Sequence, residues 1–369
     1  MSRILYIVDV RPTSGYGGGE RTLSIYNALR KIADVDLLLV AMPGSLMQAE
    51  PGEHFVRLLA DTEQATRWYW RKHKYLLKDF RPNERVRAVL SSAAEARGYD
   101  AYFGRYHFPL MADCARFGPS FVDVDDLPMD TWTSRVPLFD SVRRFAFFNA
   151  LSDFKTVFVT KNKDVGRIKH PDVRVLPCIS TLPEKTGPAL GESESGRMLF
   201  VGGLEWSPNR AGIQQFIDKS LPRIRERVPD ALLRVVGRNG ADVAGPRGVS
   251  AAGFVPDLLP EYVQASVVVC PIRSGSGSIV KLAEAAAYGK PIVATRFAAR
   301  GFEGILDPGR DFLVADSDEE FSDACVKLLG DGGLRATLSA NIRKAAAGRL
   351  DQLAIDNGVR AALEPWLPD

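Results

Sequence analysis

Short β-branched runs separated by longer helical stretches set the tightest limit on how this chain folds. ILYIVDV (residues 4–10), a helical pattern through RTLSIYNALRKI and then DLLLVA (36–41) follow one another at the spacing of a parallel βαβ unit. Further buried-strand runs come at AYF (101–103), SFVDV (120–124) and TVFVT (156–160), with a short RVLP strand near residue 174. The same grammar resumes with RMLFVGG, a helix from Asn209, LLRVVG, SVVVCP, a helix through IVKLAEAAAYG, PIVAT and DFLVA. Between the two series, TLPEKTGPALGESESGR loses its apolar periodicity and fills with Pro, Gly, Ser and Glu, as a linker does. The pattern predicts an α/β chain of two doubly wound domains, residues 1–182 and 198–348, joined by a linker over 183–197 and followed by a tail, 349–369. Two such domains are expected to face each other across a cleft, with ligands at the carboxyl ends of the strands. No solenoid-type repeat is visible.

The length of 369 residues suits about two domains, and 46% hydrophobic with 25% charged residues is the composition of a soluble globular protein. A net charge of +3, from 48 Lys and Arg against 45 Asp and Glu, is too small an excess to imply nucleic acid as a partner. Cys114, Cys178, Cys270 and Cys325 are far apart and have neither zinc-site nor disulfide-framework spacing, which predicts a reduced, cytoplasmic compartment. Asp9 and Arg11 interrupt the opening apolar run too soon for a signal peptide or a membrane span, and no later segment is long and apolar enough to span.

The stretch RSGSGS lies between a strand, SVVVCPI, and a helix, so it forms a turn at the carboxyl edge of a sheet. Gly275 and Gly277 can take positive φ, Ser276 and Ser278 are helix-capping types, and the amides of 274–278 can converge on an anion at the helix start. Lys281, in the first turn of that helix, places a full positive charge where a diphosphate would lie. Glu284, three residues on and on nearly the same face, could accept hydrogen bonds from the two neighbouring hydroxyls of a ribose. The alternative is that Lys281 and Glu284 form a surface pair worth about 0.2–0.5 kcal/mol.

SGSGSIVKLAEAAAYGKPIVAT resembles the donor-site segment of glycosyltransferase family 4, whose second motif Glu falls on Glu284 and whose A-x-G-x-P-V-V segment falls on Ala287, Gly289, Pro291, Ile292 and Val293. GFVPDLLPEYVQAS (253–266) resembles that family's G-x-v-x-d-l-x-x-y-y-x-x-A-d, and LRVVGR (233–238) its strand before the base pocket, adding Val255 and Arg238 to the donor-binding candidates. The resemblance is specific over residues 198–347 and looser before them. It implies the GT-B fold, two facing Rossmann-like domains, with the nucleotide sugar held mainly by the second and the last segment crossing back to the first. It further implies transfer of a hexose, with retention and without a metal, from a UDP- or GDP-sugar to a saccharide or lipid-linked saccharide in surface polysaccharide assembly. No other cofactor is expected.

Two departures from the family pattern bear on the site. The first Glu of the family's E-x7-E motif is Ser276 here, so sugar contacts would come from backbone amides or from the other domain. In FVGGLEWSPNRAG, Gly203 stands where many members have a phosphate-binding Arg, and the turn resembles a branch of the family with W-x-P-N; Asn209 and Arg210 follow, with Arg210 and Lys281 as substitute cations. Alternatives are a sugar-nucleotide epimerase or hydrolase on the same fold, or a scaffold with a degenerate donor site that partners an active transferase.

In the first half, RPTSGYGGGER is a Gly-rich turn before a helix. Its Gly15, Gly17, Gly19 spacing and the lack of an acid after LLLVA do not fit NAD binding. In the family resemblance Gly17, Gly18 and Gly19 let the backbone approach the donor phosphates and acceptor, with Glu20 or Arg21 facing the ligand; the alternative is a plain helix start. His107, just after strand 101–103, lies where the family resemblance implies a sugar contact; the alternative is a structural or merely exposed histidine. Asp123-Val124-Asp125 has the D-x-D form that holds a metal in another glycosyltransferase fold, but a GT-B domain neutralises the diphosphate with cations and helix termini. Asp125 and Asp126 are therefore candidates to orient an acceptor hydroxyl or act as base, or else they cap the following turn. Residues 67–87, with Trp68, Trp70, Tyr75, Phe80, Arg85 and Arg87, suit peripheral contact with an anionic membrane, or a core-packed helix with a charged outer face.

Overall fold

The computed structural model describes residues 2–13, 17–41, 47–51, 53–57, 82–106, 108–125, 127, 137–179, 194–275 and 280–368. The chain divides into two compact units, Met1–Pro177 with Gln352–Asp369, and Cys178–Asp351. Linker residues 183–193 lie outside the described residues; Glu194 is tied to the second unit through its amide, which donates to the Gln264 carbonyl at 3.0 Å.

The first unit is built on a seven-stranded sheet: β1 (Arg3–Val8), β2 (Asp34–Ala41), β3 (His54–Arg57), β4 (Ala101–Arg105), β5 (Ser120–Asp125), β6 (Thr156–Val159) and β7 (Val173–Val175). Its order is β3-β2-β1-β4-β5-β6-β7 and every pairing is parallel. Ile4 through Val8 are wholly buried. A parallel strand covered on both faces needs such a continuous apolar run, where a half-exposed strand would alternate. The chain fills one side of β1 with β2 and β3, then crosses to the other side with β4, so the strand order reverses at the β1/β4 boundary.

The second unit repeats this plan with β8 (Arg197–Val201), β9 (Leu232–Val236), β10 (Val249–Ala252), β11 (Val267–Cys270), β12 (Ile292–Ala294) and β13 (Leu313–Val314). The order is β10-β9-β8-β11-β12-β13, again all parallel, and the reversal falls between β8 and β11.

The strands at His54–Arg57 and Val249–Ala252 carry no apolar run long enough to mark them in the sequence. Both are edge strands, paired on one side only and partly exposed, so burial does not demand one. At the other end of the chain, the helix Gln352–Leu363 returns to the first unit and packs on the helix Gly17–Leu29. It buries Ile355, Val359, Ala362 and Leu363, donates from Gln352 Nε2 to the Ser24 carbonyl at 2.8 Å, and pairs Asp356 with Lys31. Full burial of Ile355, Val359 and Leu363 contributes about 1.5–3 kcal/mol each, enough to hold a tail separated from its partner by most of the sequence. Among the described residues, no helix is long and apolar enough to cross a membrane.

Candidate functional site

In the second unit the chemistry-bearing residues gather where the sheet order reverses, at the carboxyl ends of β8 and β11. Connections leave these two neighbouring strands in opposite directions, which opens a crevice at their ends. The helix Ser207–Gln215 follows β8 and the helix Val280–Ala287 follows β11.

Asn209 and Lys281 meet across this crevice. Asn209 is buried; its Nδ2 donates to the Gly203 carbonyl at 2.9 Å and its Oδ1 accepts from Lys281 Nζ at 2.9 Å. The approach depends on a glycine, because a Cβ at Gly202 would lie 2.8 Å from Asn209 Nδ2 and 3.2 Å from Lys281 Cε. Lys281 is itself buried, with Nζ 5.2 Å from the centre of the Phe200 ring. Burial pulls its pKa below the ordinary lysine value, against the opposing influence of Cys270 and Glu284. An ammonium has three N–H donors, and Asn209 Oδ1 is the one hydrogen-bond acceptor of Nζ among the described residues. The group can therefore donate to an anion without breaking its anchor.

Glu284 lies one turn further along the same helix and is also buried. Its Oε2 accepts from the Tyr262 hydroxyl at 2.8 Å, and the Tyr262 ring stacks on Tyr288 with centroids 4.6 Å apart. Burial and then the Glu284 charge raise the Tyr262 phenol well above its ordinary pKa, so it stays a donor and fixes the carboxylate's orientation. Lys281 and Glu284 are thus not a surface pair; each is buried and bonded to a residue on another element.

Gly275 has φ of +116°, and a Cβ there would lie 2.9 Å from both Pro208 Cγ and Trp206 Cζ2. The W-x-P-N turn after β8 and the Gly-rich turn after β11 therefore rest against each other. Ser274 is exposed, and Ser276, Gly277 and Ser278 lie outside the described residues. Arg210 is engaged elsewhere: Nε donates to the Leu204 carbonyl at 3.0 Å and Nη2 pairs with Asp242 at 2.7 Å. A guanidinium already matched by a carboxylate is a weaker substitute for the missing phosphate-binding Arg than Lys281 is. Arg238 is exposed while its carbonyl accepts from the Leu204 amide at 2.8 Å, and Val255 is half-buried against the core.

The first unit carries a separate ion-pair network at the ends of β4 and β5. Arg21 grips Asp123 with two bonds, Nη2 to Oδ1 at 2.7 Å and Nε to Oδ2 at 2.8 Å. Arg105, fully buried, donates from Nη1 to the Gly18 carbonyl and to Thr22 Oγ1, both at 2.6 Å, and from Nη2 to Asp125 Oδ2 at 2.8 Å. The Tyr106 hydroxyl adds a bond to Asp125 Oδ2 at 3.1 Å. Burial works to raise the Asp125 pKa, but Arg21 and Arg105 outweigh it and hold the carboxyl below its ordinary value. A carboxylate so stabilised is a poor base, and Asp125 serves instead as an ion-pair partner. Asp123 and Asp125 each face arginine, and among the described residues no three His, Cys, Asp or Glu side chains gather as a metal site would require. Gly17 begins its helix, and the Gly18 carbonyl is taken by Arg105. His107, Asp126 and residues 67–81 lie outside the described residues; Arg87 pairs with Asp113 at 2.6 Å.

Tyr262 and Arg105, which hold Glu284 and Asp125 in place, are residues that motif reading passed over. A signal existed for the second, because AYFGR carries one charge and SFVDVD two in otherwise mostly apolar strands. Arg105 and Asp123 are register partners across β4 and β5. Opposite charges in two buried strands imply that the strands are neighbours.

Residues 195–331 match the family model described as Glycosyl transferases group 1. Among curated proteins, no sequence matches the chain. Among solved structures, a sucrose-phosphate synthase from Thermosynechococcus elongatus is similar at a TM-score of 0.70 and 16% identity, over 99% of both chains. HepE from Anabaena, solved in complex with UDP, has a TM-score of 0.67 and 16% identity over 99% of this chain and 100% of its own. The pneumococcal O-GlcNAc transferase GtfA, solved with UDP and GlcNAc, has a TM-score of 0.67 and 10% identity over 99% of each chain. The fold is GT-B, with two Rossmann-like units in one chain.

Proposed function

We propose that this protein is a retaining, metal-independent glycosyltransferase that moves a hexose from a UDP- or GDP-sugar to a saccharide or lipid-linked saccharide. We place it in the cytoplasm, working in surface polysaccharide assembly at the inner face of the membrane. One observation carries the reading: a buried lysine with donors to spare, anchored by Asn209, stands one helical turn from a buried carboxylate aimed by Tyr262. That pair matches the two halves of a nucleoside diphosphate, an anionic diphosphate and a ribose diol. The family model matched by residues 195–331, and the UDP held by two of the similar structures, support the same ligand class.

In this reading Lys281 and the turn amides stabilise charge that develops on the departing diphosphate, and the low-polarity surroundings of Lys281 strengthen that interaction. Glu284 holds the ribose and so places the reacting carbon. With Asp125 committed to arginine, the departing phosphate oxygen is the base that takes the acceptor proton. The test is thermal unfolding of wild type and Glu284→Gln with UDP, GDP, dTDP, CMP or NAD, with and without EDTA. A ligand at about a hundred times its Kd adds roughly 2.7 kcal/mol of stability. One diphosphate should stabilise the wild type regardless of EDTA and lose at least half of that effect in the mutant. No response to any nucleotide would replace the transferase with a scaffold, and turnover of the donor without acceptor would favour a hydrolase or epimerase.

A further inference from the structure

The charges at the reversal point of the first unit's sheet do not cancel. Arg21 and Arg105 are matched by Asp123 and Asp125, at 2.7 and 2.8 Å. Asp9, the residue after β1, brings a third carboxylate to the same edge. Its electrostatic neighbours are Arg105, Asp125, Tyr6 and Tyr106. Its Oδ1 is buried with no hydrogen-bond partner among the described residues.

A buried carboxylate oxygen without a partner costs stability, more than a neutral group would. Burial shows the same cost in raising the Asp9 carboxyl above its ordinary pKa, with Asp125 adding to it and Arg105 opposing it. The position explains why the cost is kept. β1 and β4 are the strands between which the order reverses, and in doubly wound sheets the crevice beyond their carboxyl ends takes ligands.

We propose that Asp9 is a binding residue whose free carboxylate oxygen accepts a hydrogen bond from a hydroxyl of a neutral, polyhydroxylated ligand, a saccharide. An anion is disfavoured, because three carboxylates face two guanidiniums at this edge and the surplus charge is negative. A divalent metal is disfavoured too, because the neighbouring carboxylates are bound to arginine. A hydroxyl satisfies the oxygen without carrying a second charge into an apolar setting. This deepens the transferase reading, on which it rests for identifying the saccharide as the acceptor.

The test is ligand-observed NMR titration of wild type, Asp9→Asn and Asp9→Ser with methyl α-D-glucopyranoside, mannose, N-acetylglucosamine and maltose. UDP affinity and Tm are measured on the same samples. At least one sugar should bind wild type and bind both variants about tenfold or more weakly, as loss of a hydrogen bond to a charged group predicts. UDP affinity should change less than twofold, and Asp9→Asn should hold or raise the Tm, because it removes an unmet charge. A purely structural Asp9 would instead lose Tm and leave sugar binding unmoved. Equal sugar binding by wild type and variants, or no binding of any of the four sugars to wild type, overturns the assignment. Sugar binding that depends on Asp9 while UDP fails to bind wild type would sink the donor-site reading and leave this one standing.

Discussion

Replacing Asn209 with alanine tests the centre of the second unit most directly. The substitution removes two bonds, one to the Lys281 ammonium and one to the Gly203 carbonyl. A hydrogen bond to a charged group contributes about 1.5–3 kcal/mol and a neutral one about 0.5–1.5 kcal/mol, so the expected loss is about 2–4 kcal/mol. For a domain of this size that corresponds to a fall in Tm of about 4–16 °C. The loss should also depend on pH. Lys281 already titrates below the ordinary lysine value because it is buried, and without Asn209 its charged form loses a further stabilising partner. Between the folded and unfolded pKa values the unfolded chain binds more protons, so stability rises with pH across that window. The window is wider in Asn209→Ala, and its deficit should shrink between pH 7 and pH 9.5. Urea denaturation at the two pH values measures both effects. Asn209→Leu combined with Lys281→Met should recover much of the stability at pH 7, because removing both partners leaves no stranded charge. A deficit under about 0.5 kcal/mol at pH 7, or one that grows with pH, would refute the clamp.

Gly275→Ala should cost about 1–3 kcal/mol and reduce the Tm shift given by UDP, because alanine resists φ of +116° and its Cβ would meet Pro208 and Trp206; an unchanged shift would separate that turn from ligand binding. Lys290, whose Nζ donates to the Val263 and Ala265 carbonyls at 2.9 and 3.0 Å, is pushed down to about 8 by burial and then by Arg343. NMR titration should find it there, and its contribution should make stability rise between about pH 8 and the unfolded value of 10.5, a rise that Lys290→Met reduces to the part left by Lys281. Arg105→Met should destabilise the first unit by about 3–5 kcal/mol in urea denaturation, since it removes the hydrogen-bonded cation of Asp125 and leaves only Arg21, 3.7 Å away. Arg105→Lys should recover little, because one ammonium cannot reach Gly18, Thr22 and Asp125 as the guanidinium fork does.

What could be read from the sequence follows from the range of the forces involved. β1, β4, β5, β8 and β11 stand out because strands covered on both faces must be apolar along most of their length, whereas the edge strands at His54–Arg57 and Val249–Ala252 are under no such demand. Lys281 and Glu284 were legible as a unit because three residues on one helix share a face whatever the tertiary structure. Their partners were not. Asn209 is 72 residues from Lys281 and Tyr262 is 22 from Glu284, and the strand order alone brings them together.

That distinction explains the departure at Gly203. The family pattern predicts an arginine there, and its absence reads locally as a missing cation. In the folded unit the Gly203 carbonyl is the acceptor that orients Asn209, and Asn209 in turn anchors Lys281. The close approach at Gly202 leaves no room for a Cβ between these groups. The segment that would have carried a charge instead supplies the backbone geometry that positions one from the neighbouring strand's helix. Restoring the arginine therefore tests whether the two arrangements are alternatives. If Lys281 already meets the anion, Gly203→Arg should add less than tenfold to UDP affinity, with the exposed Glu205 carboxylate beside Gly203 free to pair with the new guanidinium. A gain of a hundredfold or more would mean that the cation was missing after all and that the Asn209 clamp does not replace it.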